Sequence, residues 1–473
     1  MGRPSDDGTA GPGWDPGVAS SDSGAQLTGG DQKAYSTFPE AGCGGRRPAY
    51  SLRQKLMLLV FSMGSLLAGS CLAMMIPFFP LEAQRRGLSQ TLTSGVFSVF
   101  SLTQLLTYPL MGRLVTVFGI NRLYCAGMTV TALSNIAFGT LFRIESAQSF
   151  IVMCYVVRVF EAMGTAAVIT TALTMAANQF SHNTSTAVAV METMNAIGLS
   201  LGAAIGAGLY HLGGFALPFY SQGCFILCLV VLSALYLPEV EAPAEQQRSD
   251  FFSMLRVFVS AGENWLCCAI VCTTAAIWTT IDSSIARYAS DTLGTTPSQI
   301  GLFFLVATGG YAVSSLLWGR LADRLVNIYL LISGCLLATA FGLALIPPLP
   351  GLGLRPSWWL LGLGLTVKEV FQGGAYVPVL NRMITVTVRQ GLPADVATQA
   401  FTASVFGTVA AVGNVLGPVT GGAVIDATNF TFMVRCLATL TAAVGGAASV
   451  QALRIAWWRR RSVGREDPPA ELS

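Results

Sequence analysis

Charge is the scarcest feature of this chain. Only 11% of its 473 residues are Asp, Glu, Lys or Arg, where a soluble globular chain carries about 25%. Hydrophobic residues make up 53%, and the mean hydropathy is +0.60. Such a balance excludes an ordinary soluble domain and points to a chain that crosses a membrane many times. A net charge of +3 is too small for a nucleic-acid partner. Histidine is nearly absent, with only His182 and His211. There is no P-loop, no H-E-x-x-H and no Cys-x-x-Cys pair repeated at zinc spacing. No nucleophile and base stand together as an enzyme needs, so neither catalysis, a metal nor a cofactor is expected. Most of the 11 cysteines lie in apolar runs, where they read as small packing residues. The first fifty residues lack any apolar run. They read as a disordered tail without a cleaved leader, and within them Tyr35-Ser-Thr-Phe38 has the form of a tyrosine-based sorting signal.

What is abundant is apolar sequence in lengths that span a bilayer, about 20 residues each. Twelve such stretches fall near 54–80, 91–115, 120–141, 148–177, 186–210, 215–237, 264–289, 298–318, 327–347, 357–384, 395–424 and 430–456. The expected fold is therefore an all-α membrane protein of twelve transmembrane helices in two six-helix bundles. Residues 1–50 form the tail, 51–237 the first bundle, 238–262 a polar linker, 263–456 the second bundle and 457–473 a C-terminal tail. Basic residues crowd the loops on the side of the termini, from Arg53 and Lys55 to Arg454 and Arg459. The opposite loops hold Arg85, Arg86, Arg143, Arg287 and Arg355. By the positive-inside rule both termini face the cytoplasm.

Two stretches are spaced half a chain apart. Gly413-x-x-x-Gly417-Pro418-x-x-Gly421 is an apolar helix with glycines four apart, which let a neighbouring backbone come close, and a proline that removes a donor and kinks the helix. A degraded copy, Gly198-x-x-x-Gly202-Ala203-x-x-Gly206, lies 215 positions earlier. Likewise Gly112-Arg-Leu-Val-Thr116 and Gly319-Arg-Leu-Ala-Asp323-Arg324 are loops 207 positions apart. Either pair is compatible with plain packing and turns. Together they fit a duplicated transporter whose halves rock about a midplane site, with the Asp–Arg set capping and pairing with neighbouring helix ends.

Ionisable groups inside spans are costly and mark function. Arg158 and Lys368 each lie about ten residues into a span, or about 15 Å at 1.5 Å per residue, and are 210 positions apart. We read them as basic groups facing a cavity from each half. Glu161 follows Arg158 by one helical turn and can pair with it, as a static ion pair or as part of the site. Glu192, in the next span, would join them in one buried cluster and is favoured as the proton carrier, having no basic neighbour on its own helix. Lys368 and Glu369 are about 100° apart on a helix and are expected to point in different directions. Asp282 is either a lumenal gate and cation attractor or a solvated helix end. Tyr155, Trp278, Tyr311 and Tyr376 offer aromatic faces to an amine cation.

The Gly319–Arg324 loop resembles the signature of the major facilitator superfamily, with Thr116 replacing the expected Asp in the first copy. Gly413–Gly421 is similar to the glycine–proline motif that drug–proton antiporters of that superfamily carry in the fifth span. Here it is intact in the eleventh span, and Ala203 replaces the proline in the fifth. Ile76-Pro-Phe-Phe-Pro-Leu-Glu-Ala83, Arg158-Val-Phe-Glu161-Ala162, Glu192-Thr193 and Ile281-Asp282 resemble the vesicular amine transporter relatives, in particular the polyamine branch (solute carrier family 18, B-type). The resemblance implies proton-coupled export of an organic amine into an acidic vesicle, by a monomer in the lipid bilayer driven by the proton gradient. The first span has no acidic residue in its midsection, so the monoamine and acetylcholine substrates are not carried over. The competing expectations are a plasma-membrane exporter of other organic cations and a non-transporting receptor or scaffold on the same fold.

Overall fold

The computed structural model describes residues 51–237, 251–295, 297–347 and 355–463. The first tail with Tyr35–Phe38, the charged part of the linker and the last ten residues lie outside them. Among the described residues the secondary structure is helical, without strands. The helices of the first half are α1 (Leu52–Ala73), α2 (Phe79–Arg85), α3 (Gln90–Phe118), α4 (Ile120–Thr140), α5 (Ala147–Gln179), α6 (Thr184–Gly213) and α7 (Ala216–Tyr236). Then follow α8 (Phe251–Ser260), α9 (Gly262–Leu293), α10 (Pro297–Ala322), α11 (Ile328–Leu345), α12 (Trp358–Tyr376), α13 (Val379–Arg389), α14 (Val396–Ala427) and α15 (Phe430–Val463).

Local sequence sets many of the helix starts. Ser51 and Gln54 form a reciprocal capping box, Ser51 Oγ accepting from Gln54 N at 3.2 Å and Gln54 Oε1 from Ser51 N at 3.1 Å. Ser89, Ser146, Ser357 and Asp395 cap α3, α5, α12 and α14. Gly119, at φ +81°, turns the chain between α3 and α4 with a backbone that a side chain would disfavour.

Ten of the helices are long and apolar enough to cross a membrane. Two long helices are not among these ten: α3 and α12. Their composition explains it. Ser, Thr and Gln run through α3, and Lys368, Glu369 and Gln372 sit within the 19 residues of α12. Outward-facing Leu235, Val313, Leu317, Leu330 and Phe341 are more than half exposed, which suits lipid rather than water.

The halves repeat the same packings. Gly198, Gly202 and Gly206 of α6 lie against the α1 backbone, where a Cβ on Gly202 would stand 2.8 Å from Ser70 Cα. Gly413, Gly417 and Gly421 of α14 lie against α9 in the same way, Gly417 at 2.7 Å from Ala276 O. A second repeat joins α4 to α5 through Gly127 and Gly164, and α11 to α12 through Gly342 and Gly364. Helix α14 runs through Pro418 without interruption.

Two expectations about the spans need correction, and the linker gains a helix. The first span ends at Ala73, and a turn over Met74–Phe78 leads into α2, with Pro80 in its first turn. The tenth span is two helices, because Pro378 has no N–H to continue α12. The linker is not wholly irregular: residues 251–260 form α8. Phe251, Met254, Leu255 and Phe258 recur at helical spacing on one face. The Phe251 and Phe258 rings lie 5.3 and 5.8 Å from that of Phe401 on α14.

Candidate functional site

At the end where α1 begins, the halves are locked together. The Asp323 carboxylate, just past α10, accepts from Ser185 N (3.0 Å), Thr186 N (2.8 Å) and the Thr186 hydroxyl (2.6 Å). These are first-turn groups of α6, whose N-cap Asn183 makes no side-chain capping bond of its own. The anion therefore sits on the positive end of the α6 dipole. Burial raises the Asp323 carboxyl above its ordinary range, against the hydrogen bonds from Thr186 and Ser185 that lower it. Gly319 makes room for this approach, a Cβ there standing 2.7 Å from the Ala189 methyl and 2.8 Å from Ser185 O. Arg324 is exposed.

The first-half copy works differently. Gly112 is buried against Ala400 and Ser404 of α14. Thr116 turns its hydroxyl onto Arg113 O, 2.7 Å away on its own helix. The start of α14 needs no cap from α3, because Asp395 Oδ1 accepts from Thr398 N at 2.9 Å. Deeper in, a Cβ on Gly407 of α14 would be 2.8 Å from the Tyr108 ring of α3. The hydroxyls of Thr193 on α6 and Ser315 on α10 lie 2.7 Å apart.

Among the described residues, one fully buried ion pair lies in each half. In the first half Arg158 Nη1 meets Glu161 Oε2 at 2.6 Å, with the residues 1% and 2% exposed. Asn135 Nδ2 donates to Glu161 Oε1 (3.2 Å), and the Phe100 ring lies 4.5 Å from the guanidinium carbon. Gln222 of α7 and Asn135 of α4 both donate to Cys71 Sγ, at 3.1 and 3.4 Å. In the second half Lys368 Nζ meets Glu369 Oε1 at 2.5 Å, with the residues 0% and 7% exposed. Trp278 Nε1 on α9 donates to Glu369 Oε2 at 2.8 Å, and Gln372 Nε2 to Thr274 O at 2.7 Å.

Two sequence expectations change here. Lys368 and Glu369 are neighbours yet meet, because the long lysine stem bends across the 100° between them. Arg158 and Lys368 do not face open space: each is closed against its carboxylate.

Glu192 keeps other company than the Arg158–Glu161 pair. It lines a cavity of about 30 Å³ with Ser65 of α1, Ile169, Ala172 and Leu173 of α5, and Met191 and Asn195 of its own helix. That volume holds a water or two, so the site is drawn tight. Glu192 lies within electrostatic range of Tyr108 on α3, Tyr311 on α10 and Tyr376 on α12. The Trp278 ring makes edge contacts with Tyr311 (5.5 Å) and Tyr376 (5.1 Å). One carboxylate of the first half thus lies within electrostatic range of tyrosines from both halves. Asp282 on α9 is exposed, within electrostatic range of Lys368 and Glu369. Tyr155 stands apart, its hydroxyl donating to Leu92 O at 2.9 Å and tying α5 to α3.

Sequence reasoning missed Tyr108, Asn135, Gln222 and Gln372. Their signal was available: an amide inside an apolar span must find a partner, and Tyr108 is the one hydroxyl-bearing aromatic of its helix. A further pair, Arg382 of α13 with Glu263 of α9, closes the end where α9 begins, with the Tyr329 ring 5.2 Å from the guanidinium carbon. Among the described residues no three His, Cys, Asp or Glu side chains are grouped to hold a metal.

The comparisons agree with this architecture. The sequence profile of the Major Facilitator Superfamily matches residues 61–287 and again 266–472. The MFS-type transporter SLC18B1 of Homo sapiens is 29% identical over 395 residues, 82% of this chain and 85% of that protein. The Chromaffin granule amine transporter of Homo sapiens is 23% identical over 354 residues, 72% of this chain and 61% of that protein. Among solved structures, the human organic anion transporter MFSD10 (TETRAN) superposes with a TM-score of 0.67 at 15% identity, over 84% of this chain and all of that one. That likeness shows the fold alone. The chain is a membrane transporter of the Major Facilitator Superfamily, and within it resembles the B-type branch of solute carrier family 18.

Proposed function

We propose that this protein exchanges an organic amine, polyamine-like in charge, for protons across the membrane of an acidic vesicle. Twelve spans in two six-helix bundles would alternate access to a central site, with both termini cytosolic and the protein acting as a monomer. The observation that carries the reading is the position of Glu192. It is a carboxylate without a basic partner on its own helix, lining a small cavity between α1, α5 and α6 and within electrostatic range of Tyr108, Tyr311 and Tyr376. An amine cation is stabilised by a carboxylate and by aromatic faces together, and a proton competes for the same carboxylate. The name of the Chromaffin granule amine transporter, a relative, supports the substrate class. Closure at the α1 end through Asp323 supports a gate.

The test is uptake of labelled spermidine into proteoliposomes that are acidic inside. Uptake should collapse when the pH gradient is dissipated, and Glu192→Gln should abolish the gradient-driven part. Uptake that ignores the gradient and survives Glu192→Gln refutes the reading.

A further inference from the structure

Lys368 is an unusual resident for this site. Its side chain is fully buried and its ammonium lies 2.5 Å from Glu369. Helix α11 presses flush against its backbone, a Cβ on Gly342 standing 2.7 Å from Lys368 N, so the Lys368 main chain is pinned on that side. The groups around the Lys368–Glu369 pair come from its own helix and from the helices packed against it. Glu369 is on its own helix, Asp282 and Trp278 are on α9, and Tyr311 on α10 lies within electrostatic range of Glu369. Helix α11 offers Cys335, packed near Gly374, and the backbone at Gly342. With Asp282, Glu369 and Lys368 all ionised, the cluster keeps one negative charge in excess. Glu369 itself is already neutralised by the Lys368 ammonium 2.5 Å away, so a cation that binds Glu369 has to replace that ammonium.

We propose that Lys368 is a tethered cation that holds Glu369 until an amine substrate displaces it. This rests on the amine reading above and adds to Glu192 a second proton site, in the second half. The substrate ammonium enters from the α1 end and binds Glu369 and Asp282. Two like charges cannot share that buried carboxylate, so one Nζ–H bond of Lys368 breaks. The electron pair stays on Nζ, and the proton passes to water at the α1 end. When the amine leaves at the opposite end, Lys368 takes a proton from that side and pairs with Glu369 again. At this site one ammonium charge is exchanged for one proton, and each further ammonium group of a polyamine adds a positive charge to the movement.

Calorimetric titration of the purified full-length protein in nanodiscs with spermidine, in phosphate and in Tris, counts the protons released per amine bound. Wild type should release about one proton more per amine than either Lys368 variant. Lys368→Gln should still bind spermidine. Lys368→Arg keeps a charge that cannot be removed, so it should melt like wild type and bind at least tenfold more weakly. A purely structural lysine would instead be rescued by arginine in every readout. Proton release unchanged in Lys368→Gln, or wild-type binding and release in Lys368→Arg, overturns the inference while leaving the amine reading intact. No spermidine binding by wild type overturns the amine reading itself, and the inference with it.

Discussion

Replacing Asp323 by alanine should open the end at which α1 begins. The carboxylate takes three hydrogen bonds from the first turn of α6, at 2.6 to 3.0 Å. A hydrogen bond to a charged group is worth about 1.5–3 kcal/mol when buried. Asp323 is only partly buried, so about 1 kcal/mol each, or about 3 kcal/mol together, is a reasonable magnitude. At about 1.4 kcal/mol per factor of ten, the closed arrangement should lose about 100-fold in population relative to the open one. Spin labels at Phe118 and Val326, both more than half exposed, would report this as a longer, broader distance distribution in a cysteine-depleted background. Asp395→Ala is the internal control. Its carboxylate caps its own helix and bridges nothing, so it should lower the melting temperature without changing that distance. An Asp323→Ala distribution that overlays wild type, or an equal widening in Asp395→Ala, refutes the claim that the loop latches the halves.

Other outcomes follow from the same geometry. Gly417→Leu should destabilise by about 1–3 kcal/mol, the usual cost of overpacking, because a Cβ already meets Ala276 O at 2.7 Å. Gly422→Ala on the same helix has nothing within 4 Å and should melt like wild type by fluorescence-detected size exclusion. Arg158→Leu alone should cost about 3–5 kcal/mol by stranding a buried charge, while Arg158→Leu with Glu161→Leu should recover much of that. If the double variant is as unstable as the single ones, the pair is not the source of the loss. Phe401→Ala should release α8, seen as faster amide exchange over residues 251–260 with little change elsewhere.

The recurrence of spanning apolar runs follows from composition alone, since a helix is the form in which an open segment satisfies its backbone in lipid. Glycine spacing also carried through. Gly202 and Gly417 meet the neighbours that close packing requires, because removing a side chain is a local property that any helix neighbour can exploit. The candidate site was legible as a set of residues but not as an arrangement. Helical phase placed Glu161 beside Arg158, and it failed for Lys368 and Glu369 because phase describes Cβ directions and says nothing of where a four-carbon stem ends. The amphipathic face of α8 was readable but hidden behind the charges of residues 239–250.

What the sequence settled by itself was the class of protein, its duplication and the short roster of buried charges. Those follow from the cost of charge in lipid and from spacing along one chain. Only the tertiary structure decided which charges are neutralised by an ion pair and which are left without one. Burial and pairing depend on helices more than a hundred residues apart, such as α6 against α10 and α3 against α14. It likewise decided that one loop locks the halves and its copy does not: α14 caps itself through Asp395, whereas α6 is capped from the other half by Asp323.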